Sequence, residues 1–325
     1  MNWAVVGTGN IVRKFITGLG RADGAVLRAV VSRSEEKAQS FASEYGFGYG
    51  TSSYDAVLSD PDVDIVYIGT PHTSHMEYAL RALEKGKAVL SEKPMTVSLA
   101  EGKKVIECAR KNNTFFMEAM WTRFLPVMAK VREWLDDGLI GDVMLVESDF
   151  GSKEPVIPEW RLYNRNLGGG ALLDVGVYPV AMAQMIFGLM PEKVVSSMYL
   201  GSTDVDEMTN IILDYGRGRS AVISTCVNCA LDTVTRIYGT KGKIEIPDFV
   251  FARQASLTVY GQYTYVSSPD FTGNGYNYEA EEVMRCVSLG LVESPVMTHS
   301  DSLSVLSVMD SARHQCGFFY PGEEQ

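Results

Sequence analysis

The sequence predicts an α/β protein: an N-terminal doubly wound parallel sheet, followed by a C-terminal α+β domain built on an open, mostly antiparallel sheet. Two observations carry this. Over the first 120 or so residues, short β-branched runs alternate strictly with amphipathic stretches, and right-handed crossovers turn such an alternation into a parallel sheet. Beyond about Met120 the alternation stops, and a series of period-two strands follows, joined by short turns containing Gly and Asp. The expected division is 1–120 for nucleotide binding and 121–325 for substrate binding and dimerisation.

In order, "WAVVG" is followed by "NIVRKFITGLGR", "VLRAVVS" by "SEEKAQSFASEYG", "VDIVYIGTP" by "HTSHMEYALRALEKG", and "KAVLSEKP" by "SLAEGKKVIECARKNN", with "TFFMEAM" closing the series. The second half begins with the helical "PVMAKVREWLDDGLIG" and the strand "DVMLVESDFG". After a loop rich in charge and aromatics, "GGGALLDVGVYPVAMAQMIFG" reads as one helix. The strands "VVSSMYL", "MTNIILDYG", "RSAVISTCVNC", "DTVTRIYGT" and "GKIEI" come next, and "YNYEAEEVMRCVSLG" and "HSDSLSVLSVMDSARHQCG" are late helices.

At 325 residues and 46% hydrophobic content the chain has material for two ordinary domains. Its net charge of −11 opposes a nucleic-acid partner, which needs clustered Lys and Arg. No leader precedes the first strand and no apolar run reads as long enough to span a bilayer, so no membrane partner and a cytoplasmic location are expected. The five cysteines are too scattered for a secreted disulfide framework. Cys226 and Cys229 form a CxxC inside an apolar β-type run, read as ordinary reduced strand cysteines because no second Cys or His pair stands at zinc-ligand spacing.

After the first strand, "GTGNIV" places Gly7 and Gly9 at the first two positions of a GxGxxG pattern, with Val12 at the third and Asn10 and Ile11 opening the helix. Gly7 permits a tight turn and Gly9 a close approach of backbone to a pyrophosphate on the helix N-terminus. The second strand ends in "VVSRSEE". Ser32 and Arg33 can bind a 2′-phosphate where an NAD site would place an acid, so NADP is the expected cofactor and NAD the other candidate. The plainer reading makes Arg33 a solvated loop residue and Ser34 a helix cap. "GTPHTSH" brings Thr70, Pro71 and His75 to the end of another strand, where ligands of such sheets lie. With no carboxylate or cysteine at ligand spacing to His72 and His75, no metal is expected.

"VLSEKP" ends a buried strand in Glu92 and Lys93, with Pro94 restricting the lysine's backbone. Together, "GTGNI", "IGTPHTSHMEYALRALEKGKAVLSEKP" and "GGGALLDVGVYP" resemble the Gfo/Idh/MocA family of NAD(P)-dependent oxidoreductases over essentially the whole chain. The resemblance implies a Rossmann domain, a C-terminal domain with an open sheet, a homodimer formed through it, and a catalytic lysine at Lys93. "EAMWTRFLP" and "GGGALLDVGVYP" look most like the branch of dihydrodiol and NADP-dependent xylose dehydrogenases. Where many members carry a catalytic histidine, this sequence has Tyr178, and Ala181 replaces the last aspartate of the usual pattern.

The chemistry stands without the resemblance. Moving hydride between nicotinamide and a sugar, polyol or trans-dihydrodiol carbon requires a group to take or give the hydroxyl proton. A phenol with an ordinary pKa of about 10 is a poor base, but an adjacent ammonium stabilises its anion, which pairs Lys93 with Tyr178. Asp174, four residues before Tyr178, is expected on the same helix face, binding substrate hydroxyls or orienting Lys93. Trp121, Arg123, Phe124, Trp160 and Arg161 are candidate walls of a sugar-sized pocket, with interface packing as the alternative. Loops 151–168 and 262–276 are expected to set the substrate. A rival reading is a non-catalytic NAD(P)-binding regulator of the same fold.

Overall fold

The apolar runs of the N-terminal half become six parallel strands with helices between them. In the computed structural model, residues 1–188 and 190–323 are described, and the chain divides into two compact units. The first comprises Met1–Thr96, Ala100–Phe124 and Thr272–His299, and the second Val97–Leu99, Leu125–Phe271 and Ser300–Gln325.

In the first unit the order of elements is β1 (Asn2–Val6), α1 (Asn10–Leu19), β2 (Val26–Val31), α2 (Glu35–Tyr45), β3 (Tyr49–Thr51), α3 (Tyr54–Ser59), β4 (Ile65–Ile68), α4 (His75–Glu84), β5 (Ala88–Glu92), α5 (Leu99–Lys111) and β6 (Phe116–Ala119). The sheet order is β3-β2-β1-β4-β5-β6, every pair parallel. This is the strand order of a Rossmann fold, whose direction reverses between β1 and β4 and leaves a crevice at their carboxyl ends. Strands β4, β5 and β6 are buried along their whole length, as helices on both faces of a parallel sheet require.

The division differs from the one the sequence predicts. Helix α8 (Tyr276–Ser288), expected in the second domain, belongs to the first unit and packs against α1. Its apolar face, with Tyr276, Ala280, Val283 and Met284 buried, is too large to leave in water. Gly18 of α1 gives it room: a Cβ there would lie 2.5 Å from Asn274 Oδ1 and 2.8 Å from Tyr276 Cβ.

In the second unit, α6 (Pro126–Asp136) leads to β7 (Val143–Gly151), α7 (Val177–Phe187), β8 (Lys193–Leu200), β9 (Asp206–Asp214), β10 (Ser220–Cys226), β11 (Thr235–Gly239), β12 (Gly242–Ile246), β13 (Ala255–Val259) and β14 (Tyr263–Ser267); α9 (His299–Gln315) follows α8 in the chain. The eight strands form one sheet, β14-β13-β12-β11-β7-β10-β9-β8, antiparallel except for β7 with β10. Strand β14 occupies part of the expected 262–276 loop, because "YTYVS" alternates well enough to pair with β13. The segment Arg165–Phe187 is, contrary to expectation, long and apolar enough to cross a membrane by length and composition, yet its most apolar stretch is 78% buried within the protein.

Gly18→Ala discriminates propensity from packing. Helix propensity alone favours alanine by about 1 kcal/mol, whereas the missing space predicts a net loss of about 1–3 kcal/mol. Urea unfolding of the two proteins measures the sign, and the variant is expected to be the less stable.

Candidate active site

The first unit gathers four chain segments at the carboxyl ends of its strands. The turn after β1 holds Gly7 at φ +111°, and a Cβ there would stand 2.7 Å from Gly69 O in the loop after β4. Only glycine lets these two loops approach so closely. Val12, at the third position of the glycine pattern, fills the space that Gly69 leaves open, since a Cβ on Gly69 would lie 2.6 Å from Val12 Cγ2. Gly9 precedes α1 without any side-chain cap, a Cβ on it would meet nothing within 4 Å, and Asn10 is exposed, so the helix N-terminus faces outward. After β4, the buried Thr70 hydroxyl has no hydrogen-bond partner among the described residues. An uncapped helix N-terminus beside glycine turns and an orphaned hydroxyl fits the pyrophosphate and ribose of a dinucleotide.

At the end of β2, Arg33 is exposed and Ser34 caps α2, accepting from Lys37 N at 3.3 Å, as the plainer reading of that serine had it. The nearest acid, Glu35, is turned away to accept from Ser52 N at 2.5 Å, and this bond holds its carboxyl below the usual range. Ser32 N donates to Thr51 O at 3.2 Å.

The end of β5 is clamped from three sides. Glu92 accepts from Tyr67 Oη at 2.6 Å, and the Tyr67 ring stacks on Phe15 with centroids 3.7 Å apart. Met95 N donates to the buried Glu118 at 2.8 Å. His75, wholly buried, sets Nδ1 2.9 Å from Pro94 O and Nε2 2.9 Å from Thr70 O. Its ring nitrogens thus brace the Lys93 loop to the Thr70–Pro71 loop. Among the described residues 88–98, Lys93 alone is not buried, and the Lys93–Pro94 peptide is cis.

In the second unit, Gly168, Gly169 and Gly170 lead into a π-helical turn, Leu172–Gly176, which runs on into α7. The sequence reads one regular helix here. Pro179 lacks an N–H and crowds the carbonyl four residues back, and the turn ahead of it is widened. The simple four-residue spacing of Asp174 and Tyr178 is therefore interrupted. Asp174 pairs with Arg161 at 2.8 Å, bringing together two of the expected site residues. Tyr178 is buried and meets Phe150 edge-on at 5.7 Å.

The remaining candidates are divided between the two units. Trp121 is buried in the first unit, stacked on Tyr276 with centroids 4.7 Å apart, and buried Arg123 donates to Val296 O at 3.2 Å. Phe124 is half-buried and Trp160 is exposed.

Two acids escaped the sequence reading. Glu279 on α8 is wholly buried with neither carboxylate oxygen hydrogen-bonded among the described residues, and burial, then the neighbouring Glu92, pushes its pKa well above the usual range. Its position three residues after Tyr276 and four before Val283, on the apolar face of α8, was the available signal. Asp206, at the start of β9, reaches across to accept from Leu172 N at 2.7 Å and from Thr209 Oγ1 at 2.9 Å. It thereby caps the helix that carries Asp174 and Tyr178. Gly170, at φ +118°, leaves the room, since a Cβ there would lie 2.0 Å from Asp206 Oδ1. Burial pushes the Asp206 carboxyl up from 3.8 to about 7, against the opposing pull of these hydrogen bonds and of Arg313.

A carboxyl whose pKa is raised in the folded state stabilises the protein below its unfolded pKa, and that contribution is lost as pH rises to the folded value. Wild-type stability relative to Asp206→Asn should accordingly fall by a few kcal/mol at most between about pH 4 and pH 7 and level off above. Parallel melting-temperature profiles across that range would refute this.

Comparison with known proteins agrees with this fold. Residues 1–120 match the model of the oxidoreductase family with an NAD-binding Rossmann fold, and residues 128–245 match the GFO/IDH/MocA C-terminal domain. The chain is 39% identical to trans-1,2-dihydrobenzene-1,2-diol dehydrogenase of Xenopus laevis, over 98% of this chain and 99% of that one, and 31% identical to that of Homo sapiens, over 100% and 99%. Among solved structures it is similar to KijD10, a 3-ketoreductase from Actinomadura kijaniata, with TM-score 0.85 and 26% identity over 97% of each chain. The aldose-aldose oxidoreductase of Caulobacter crescentus gives TM-score 0.88 and 26% identity over 96% of each. The two family models cover most of the chain and the dihydrodiol dehydrogenases match it along its full length, so the chain belongs to the GFO/IDH/MocA family of NAD(P)-dependent oxidoreductases.

Proposed function

We propose that this protein oxidises a secondary hydroxyl of a trans-dihydrodiol or cyclic sugar with NADP, or reduces the matching carbonyl. The observation that carries the reading is Lys93, the one unburied residue of a buried strand end braced by Tyr67, Glu118 and His75. The relatives named above are dihydrodiol dehydrogenases, and the ketoreductase was solved with NADP and TDP-benzene. A variant of that enzyme with one tyrosine changed to phenylalanine was also solved.

The nicotinamide, when bound, carries the hydride, and the chain's own residues manage the proton. Lys93 hydrogen-bonds the reacting oxygen and stabilises a phenolate at Tyr178, which takes the hydroxyl proton in oxidation and returns it in reduction. Asp174, held by Arg161, binds a second substrate hydroxyl. Arg33 pairs with the 2′-phosphate, while the carboxylate of Glu35 is engaged by Ser52 N.

Fluorescence titration with NADPH and NADH, followed by turnover on dihydrodiols, aldoses and inositols, tests this. Arg33→Ala should weaken NADPH about tenfold, about 1.4 kcal/mol, and leave NADH within about twofold. Lys93→Ala and Tyr178→Phe should lose at least about a hundredfold in turnover while still binding NADPH. NADPH binding without turnover across the panel would instead favour a regulator.

We also propose a homodimer through the second sheet. Val195, Ile212 and Val222 lie opposite one another on β8, β9 and β10 and are exposed by 44%, 50% and 40%. A row of exposed aliphatic residues on one sheet face favours a covering surface. Ile212→Lys should convert the dimer to a monomer in sedimentation, and an unchanged mass would overturn the assignment.

A further inference from the structure

We propose that Cys226 and Cys229 form a reversible intramolecular disulfide, making the end of β10 an oxidative modification site. The sequence alone reads these residues as ordinary strand cysteines. The fold brings Cys226 Sγ to 3.0 Å from Cys229 Sγ. A disulfide bond is about 2.04 Å long, so only about 1 Å of approach separates the reduced pair from the bonded one.

The two thiols stand in different surroundings. Cys226 is wholly buried at the end of its strand, paired with Gly151 on one side and Met208 on the other, and its carbonyl accepts from Ser152 N at 3.1 Å. A Cβ on Gly151 would lie 2.5 Å from its sulfur, so the glycine makes the space the sulfur occupies. Cys229 is partly exposed, beyond the two-residue turn of Val227 and Asn228. That turn is held in place, with Val227 N donating to Glu207 O at 2.9 Å and Asn228 bridging to Lys153. The fixed partner is therefore Cys226, and the side chain that swings is that of Cys229. Burial pushes the Cys226 thiol up to about 11, which makes Cys229 the sulfur that meets the oxidant and Cys226 the one that resolves.

The oxidant is hydrogen peroxide. The Cys229 thiolate attacks one peroxide oxygen, the O–O bond breaks, and Cys229 becomes a sulfenic acid while the departing hydroxide is protonated to water. Cys226 then attacks the Cys229 sulfur, the S–O bond breaks, and the hydroxide leaves as water with the proton from the Cys226 thiol. Two thiols lose two electrons and two protons in all, and one peroxide becomes two waters. A dithiol reductant reverses the change through a mixed disulfide at the exposed Cys229.

The bond would close beneath a functional helix. Val227, inside the ring so formed, packs in one cluster with Tyr163, Ala171 and Val175, and Ala171 and Val175 flank Asp174.

The test is intact mass and peptide mapping of the wild-type chain after treatment with hydrogen peroxide and alkylation of the remaining thiols, repeated in a variant in which Cys108, Cys286 and Cys316 are all serine. Before alkylation the expected product in both is two hydrogen masses lighter than the untreated protein and returns to the starting mass with dithiothreitol, and after alkylation 226 and 229 remain unalkylated in one internally crosslinked peptide. In Cys229→Ser the lighter species should be absent. Alkylation of both residues in peroxide-treated wild type, or a crosslink from either to another cysteine, would overturn the proposal. Both outcomes are read on the chain itself, whatever its substrate.

Discussion

A buried parallel strand that has to end in a usable cation is the constraint on which the first unit is built. Strand β5 is apolar and enclosed on both faces, and its direction carries the chain straight to Glu92 and Lys93. An ammonium left to itself at such a point would swing to bulk water. The surrounding bonds instead act on its neighbours: a tyrosine on the residue before it, an imidazole on the carbonyl after it, and a carboxylate on the next amide. Orientation is achieved by fixing the backbone on either side of the lysine.

The cost of this arrangement is seen in buried acids. Glu279 shares the interior of the first unit with Glu92, and two carboxylates in a dry environment cannot both ionise cheaply. Asp206 is held in the second unit as a remote helix cap, with one oxygen satisfied twice and the other without a partner among the described residues. Neither contributes what an apolar residue of similar size would contribute to folding. Local rules broken in this way concentrate where geometry is being enforced.

Much of this was legible along the chain, and the rest was not for identifiable reasons. The β/α alternation, the Gly7–Gly9 turn and the EKP strand end are local patterns, and each lies where periodicity places it. The short elements β3 and α3 carry too few residues to show a period. The return of α8 to the first unit could not be read, because amphipathicity says that a helix must cover something and not what it covers. The same holds for Asp206: a capping acid 34 residues along the chain from the amide it caps has no spacing rule. The π-turn could have been anticipated from Pro179, whose missing N–H forbids the regular ladder in "DVGVYP". The sulfur pair was visible as a CxxC, but its closeness depends on the register of β10 against β7 and on Gly151.

That α8 lies against α1 also sets an order of events during synthesis. The first 124 residues leave the ribosome as six strands and their helices, yet the face of α1 that α8 covers stays uncovered until 272–299 emerge. The whole sheet of the second unit is made in that interval. The nucleotide-binding unit thus begins first yet waits on a segment made after the second sheet, and a nascent chain cut between residues 267 and 272 carries every strand of the second sheet and an incomplete cofactor fold.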